Sequence, residues 1–255
     1  MVEILENIGF FWCLLLVGAS FVGGILGTLS GGSGMITMPL LLLSGISPIQ
    51  ALATNKLQAC FGSFTGALHY YKSGLVDLGQ SRSYMLIAFV FSGIGTLAVQ
   101  YISPDRLSVL LPFAMIGVGL YLLFAKNLGD DNHTRQTHPV VLYVFCALAG
   151  LYGGLLGVGI GTFVIAILIS MGGYGFSKAL AHSRWIVFSI NFISMLVFII
   201  SGHVLWLLGV MMCIGQLLGS SLGAKMAIKH GAKLIRPLVI GLCFVMSIQL
   251  LIKQF

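Results

Sequence analysis

The sequence predicts an all-α integral membrane protein, with eight to ten transmembrane or half-membrane helices in two inverted structural repeats. Three observations predict it. Of 255 residues, 58% are hydrophobic and 7% charged, with a mean hydropathy of +1.06, which is too apolar for a soluble domain. Charge-free stretches recur at 8–50, 83–104, 107–125, 139–177, 185–224 and 237–252. Segments of one half reappear in the other. Backbone polar groups cannot stay unpaired in hydrocarbon, so the spanning structure is a helix bundle or a closed barrel, and the alternating ten-residue segments of a barrel are absent.

The first stretch holds two passes, since one spanning helix takes roughly 20 residues. Its start, Met-Val-Glu-Ile-Leu-Glu, is acidic where a signal peptide would be basic, so the first helix is expected to be retained. Gly23, Gly27 and Gly31 are spaced by four, and Gly153, Gly157 and Gly161 repeat that spacing 130 residues later, within Gly-Gly-Ile-Leu-Gly and Gly-Gly-Leu-Leu-Gly. Such spacing lets helices approach closely. The run Gly31-Gly32-Ser33-Gly34 is too glycine-rich to continue a helix comfortably, and only about eleven apolar residues follow before the next turn, which predicts a broken helix here. Ser47-Pro48-Ile49-Gln50 is a helix start, with a Ser cap, Pro at the first helical position and Gln three residues after the cap.

Residues 50–56 and 178–184, Gln-Ala-Leu-Ala-Thr-Asn-Lys and Lys-Ala-Leu-Ala-His-Ser-Arg, match at an offset of 128, as do Ser73-Gly74 and Ser201-Gly202. The first repeat therefore covers 1–128 and the second 139–255, joined by a polar linker at about 126–138. Five crossings per half, an odd number, would invert the second half relative to the first. The basic residues agree with that alternation. With Lys225, Lys229, Lys233 and Arg236 in the cytoplasm, Lys72, Arg82, Lys126, Arg135 and Lys178 also fall inside, and only Arg106 and Lys253 fall outside, giving both termini outside. The net charge of +7 thus serves topology, and no nucleic-acid partner is expected. The expected partners are the lipid bilayer and a small anion. Lipid-facing and partner-facing apolar surfaces look alike, so no oligomeric state is predicted.

Lys56 lies about 12 Å into the helix that starts at Pro48, and Arg184 occupies the corresponding place in the second half. All six acidic residues are terminal or in loops, so neither cation has a carboxylate within the apolar segments. A charge within a membrane segment is costly and by default functional, and the missing partner fits an anionic substrate. Snorkelling to the interface is the alternative, opposed by recurrence of the cation in both halves. Thr54 and Asn55 align with His182 and Ser183, and Ser63 and Asn191 follow seven residues after the cations on the same helical face. These six suit a site lined for an oxyanion, although hydrogen bonds between helices would explain Ser63 and Asn191 equally well. Backbone N–H groups at Gly31, Gly32, Ser33 and Gly34, backed by a helix dipole, would add an anion site.

His182 either couples a proton to transport or makes one helix–helix hydrogen bond. The other histidines lack metal-binding spacing, and Cys13, Cys60, Cys146, Cys213 and Cys243 are odd in number without CxxC spacing, so neither metal, disulfide nor cofactor is expected.

Together Gly23–Pro39, Ala51–Lys56, Lys72–Asp77 and the second Gly-Gly-Leu-Leu-Gly run make the chain resemble the sulfite exporter TauE/SafE permeases over nearly its whole length. The resemblance implies a multi-pass carrier of the bacterial cytoplasmic membrane with a duplicated fold, moving sulfite, sulfonates or related organosulfur anions. It assigns the family's glycine-rich segments to Gly31–Gly34 and Gly157–Gly161, the latter without a proline matching Pro39. Two alternatives stand beside it. Gly31-Gly32-Ser33-Gly34 satisfies the GxSG pattern of intramembrane serine proteases, which need a histidine near Ser33. A passive anion channel could share the same fold.

Overall fold

The computed structural model describes residues 9–124 and 139–230. The linker 126–138, the basic residues Lys233, Arg236 and Lys253, Cys243 and the charge-free run 237–252 lie outside them. The described residues form helices and turns with no strand: α1 (Phe10–Ser30), α2 (Ser33–Leu43), α3 (Pro48–Lys72), α4 (Leu78–Val99), α5 (Pro104–Phe124), α6 (Pro139–Leu155), α7 (Ile160–Ser170), α8 (Phe176–Ile200) and α9 (Trp206–His230). Four segments, Phe11–Ser30, Ser81–Val99, Phe176–Ile200 and Trp206–Lys229, are long and apolar enough to cross a membrane. At 1.5 Å per residue, the 25 residues of α3 also reach about 37 Å.

Local chemistry sets the helix ends. Pro48 opens α3 as expected, but the Ser47 hydroxyl donates to the Gln50 side-chain Oε1 (2.9 Å) rather than capping a backbone N–H. Asp77 caps α4 by accepting from the Gly79 N–H at 2.9 Å. Gly31 closes α1 in the left-handed conformation at φ 92°, which glycine adopts without the Cβ penalty, and its N–H returns to Gly27 O.

The break at Gly31 reverses the chain. Gly27 faces Ser33 and Gly23 faces Thr37, so α2 runs back alongside α1 as a short hairpin arm rather than prolonging it. The second half does the same, with Gly153 against Ile160 and the Tyr152 ring against Phe163 at 5.3 Å. Both halves are broken, each into a Gly-rich helix and a short apolar one. The fold also moves the glycine register by one turn. Ile25 packs on Gly223 as Leu151 packs on Gly95, which pairs Gly27 with Gly153 and Gly31 with Gly157, an offset of 126 in place of 130. Letter matching favoured 130 because glycines recur every four residues.

Residue pairs give the helix directions. Ser81 meets His182 and Thr96 meets Ser194, so α4 and α8 run parallel. Ala88 meets Gly150 and Ser92 meets Gly154, making α4 parallel to α6. Thr54 meets Leu205 and Gly62 meets Gln216, so α3 parallels α9, which in turn parallels α1 through Ser20 with Met212 and Ile25 with Gly223. In contrast, Lys56 meets Asn191 while Gly66 meets Arg184, so α3 and α8 are antiparallel. Thus α1, α3 and α9 point one way and α4, α6 and α8 the other. The closest backbone approaches use small residues, since a Cβ on Gly219 would collide with the Phe21 carbonyl and one on Gly154 with the Ser92 carbonyl. Gly23, Gly27 and Gly153, in contrast, make room for the returning hairpin arms.

Candidate functional site

The two hairpin tips meet in the middle of the bundle, where a Cβ on Gly161 would stand 2.6 Å from Gly31 Cα and the Thr162 hydroxyl donates to Ser30 O at 2.9 Å. Beside the tips, α3 and α8 cross at their midpoints. Lys56 is four residues before the centre of α3, about 6 Å along its axis, and is 1% exposed; Arg184, placed likewise on α8, is 4% exposed. Neither snorkels to the surface.

Each cation is held by the opposite half. Lys56 Nζ donates to the Gly153 carbonyl and to Asn191 Oδ1 (3.3 Å), while Arg184 donates to the Gly27 carbonyl (2.6 Å) and to Ser183 Oγ (3.3 Å). Gly153 and Gly27 lie in the last turns of α6 and α1, where the negative end of the helix dipole favours a positive charge, and the Gly27 carbonyl accepts from Arg184 in addition to the Gly31 N–H. That is how two cations are tolerated without an acid: no carboxylate lines the site among the described residues. Arg184 Nε is buried without a partner, leaving one donor unused.

Between the cations is a cavity of about 20 Å³, enough for a water molecule and too small for a polyatomic anion without side-chain movement. Its walls include Gly31, Ser33 and Gly34 at the start of α2, Gly157 and Ile160 at the start of α7, Asn55, Lys56 and Ser63 from α3, and Arg184 and Asn191 from α8. Two half-helices therefore aim their N-termini, the positive ends of their dipoles, at the same space. Asn55 Oδ1 accepts from Thr37 (2.7 Å) and Gln58 (2.8 Å), which fixes its orientation, and Ser63 bonds back to Ala59 O at 2.7 Å.

Four of the expected residues are not in this wall. Gly32 caps α2 behind the tip. Thr54 accepts from the Leu205 N–H (3.2 Å) and anchors the start of α9; His182, in the aligned position, bonds Ser81 (2.5 Å) near the start of α4 and packs on the Tyr174 ring. Ser183 touches the site only through Arg184. Sequence reasoning missed Gln216 and Ser220 on α9. Gln216 is 2% exposed, its Oε1 has no partner, and it fits against Gly62, whose missing side chain makes its room. The available signal was an amide inside the charge-free run 185–224, carried by a helix with no other Asn or Gln.

The family model described as Sulfite exporter TauE/SafE matches residues 16–250. The chain belongs to this family. Among TauE/SafE relatives, it is 36% identical over 248 residues to "Probable membrane transporter protein ORF9" of Sinorhizobium sp, covering 97% of this chain and 95% of the relative. It is 35% identical over 242 residues to "Probable membrane transporter protein YfcA" of Escherichia coli K12, covering 93% and 90%, and 34% identical over 249 residues to a "Probable membrane transporter protein" of Haemophilus influenzae, covering 97% and 98%. No solved structure gives a significant match. This TauE/SafE chain is a membrane transporter, acting on a small molecule in a lipid bilayer, and not an enzyme. The protease alternative also lacks its base, because no histidine lines the cavity beside Ser33 among the described residues.

Proposed function

We propose that this TauE/SafE transporter is a secondary carrier, of exporter type, for small sulfur-containing oxyanions such as sulfite or organosulfonates in the bacterial cytoplasmic membrane. The observation that carries the anionic substrate is the pairing of Lys56 and Arg184 across one buried cavity that no carboxylate enters among the described residues. Two opposed half-helix N-termini at the same cavity supply backbone donors for oxygens, and Asn191 and Gln216 add side-chain amides. Sulfur as the central atom comes from the family's description, sulfite exporter.

The two halves act as inverted copies around this cavity. Equivalent helices α3 and α8 cross antiparallel, and each cation grips the other half's hairpin, so a rocking motion of one half would exchange the carbonyl that holds each cation. The small enclosed cavity favours a carrier with an occluded state over a continuously open channel.

Efflux of labelled sulfite, taurine and an aromatic sulfonate from proteoliposomes tests the proposal. Saturable flux of at least one of them is expected, lost in Lys56→Gln and Arg184→Gln. Wild-type flux surviving both substitutions would remove the anion site. An imposed pH gradient drives net flux in a proton-coupled carrier and leaves that of a passive channel unchanged.

A further inference from the structure

A second cavity, of about 340 Å³, opens on the outer surface of the bundle between α4 and α8. Arg82 stands at one end, and Met85, Leu86 and Phe89 of α4 face Phe188 and Phe192 of α8 along its length. Because α4 and α8 run parallel, both walls advance in the same direction away from Arg82. The seven helical steps from Arg82 to Phe89 cover about 10 Å. That fits inside one leaflet, half of a hydrocarbon core of about 30 Å. Arg82 is exposed in the first turns of α4, and among the described residues it has neither an ion pair nor a hydrogen bond. Leu86 is 64% exposed and Phe192 37%, so the groove faces whatever solvates the bundle.

We propose that this groove is a site for one anionic phospholipid, with its phosphate on Arg82 and an acyl chain lying along Leu86, Phe89, Phe188 and Phe192. Two features set it apart from the general lipid shell. It is a concavity walled by three aromatic rings, where a chain makes contacts on more than one side. It also ends in a cation, unpaired among the described residues, at the start of the apolar span Ser81–Val99, and basic sites between transmembrane helices bind anionic headgroups. A soluble anion would use the Arg82 end and leave the apolar length empty. A zwitterionic lipid would bring its own cation towards Arg82. The groove's second wall is α8, which also carries Arg184 and Asn191, so an occupied groove braces the helix that builds the transport site.

The test is native mass spectrometry of the full chain released from bilayers of equal parts phosphatidylglycerol and phosphatidylcholine. The expected wild-type result is one retained lipid per chain, phosphatidylglycerol favoured about fivefold, from about 1 kcal/mol for a basic residue near an anionic surface. Arg82→Gln, an exposed change, should bring the ratio to about one while keeping the retained lipid. Leu86→Trp fills the groove and should lower retention of both lipids. An unchanged phosphatidylglycerol preference in Arg82→Gln overturns the headgroup assignment. Unchanged retention in Leu86→Trp, or no discrete retained lipid in wild type, overturns the site.

Discussion

Replacing Lys56 by Gln separates function from stability, and the two should move differently. Lys56 is 1% exposed and donates to the Gly153 carbonyl and Asn191. A bound anion in so small a cavity would stand about 4 Å from Nζ, where a charge pair is worth about 4 kcal/mol at an effective dielectric constant of about 20. Removing it predicts a loss approaching three orders of magnitude in anion affinity, at about 1.4 kcal/mol per tenfold. Gln keeps an N–H donor for the oxyanion, so a loss of about a hundredfold is the smallest the geometry permits, a neutral hydrogen bond being worth about 1 kcal/mol. Folding answers differently. The empty transporter must bury this cation without a carboxylate, at a cost of about 2.5–3.5 kcal/mol for an unpaired basic residue at a helix centre. Lys56→Gln should therefore hold or raise the thermal midpoint while sulfite efflux falls. Concentration-dependent efflux from proteoliposomes and thermal unfolding of the same preparation, followed by intrinsic fluorescence, measure the two. Efflux unchanged within a factor of about three, or a midpoint that drops together with efflux, would refute the reasoning, because one says the charge is idle and the other says it is structural.

Gly31→Ala should destabilise the chain by at least about 1–2 kcal/mol from its left-handed backbone alone, and by more because the new Cβ collides with the Gly161 backbone; the thermal midpoint reads it, and an unchanged value would contradict the tip-to-tip contact. Gln216→Met keeps the side-chain volume and removes a buried amide whose oxygen has no partner, so stability should hold while the half-saturation concentration for the transported anion rises by at least about tenfold, a hydrogen bond to a charged group being worth about 1.5–3 kcal/mol; equal half-saturation would take Gln216 out of the site. Ser33→Ala should retain most of the flux, since a transporter needs no nucleophile there, and complete loss in a folded protein would reopen a chemical role for the hydroxyl. His182→Ala removes the bond to Ser81 and should lower the thermal midpoint by the equivalent of about 1 kcal/mol while leaving the pH-gradient response of the flux intact; loss of that response alone would return His182 to proton coupling.

Much of this protein was legible before any helix was placed against another. Composition decides the solvent: a chain 58% hydrophobic and 7% charged must satisfy its backbone internally, which leaves helices, and Pro48, Gly31 and Gly74 mark where they begin and end. Position along a helix decides depth, so Lys56 and Arg184 could be placed within the apolar layer from their distance to a cap. The matching runs 50–56 and 178–184 were visible because residue identity survives where two segments meet the same requirement. Face and direction were not. A glycine break states that a helix stops, but whether the chain continues or folds back depends on what packs against it, here Gly27 on Ser33 and Gly153 on Ile160. Thr54 and His182, two residues before the cations, turn away to anchor α9 and α4, although their alignment placed them with the site. Gln216 joins the cavity from a helix far along the chain because Gly62 leaves space for it. Burial, helix type and charge inventory are properties of a segment in its solvent, and sequence determines them alone. Which polar groups share one cavity is a property of contacts between segments distant in the chain, and those arise only when the helices pack.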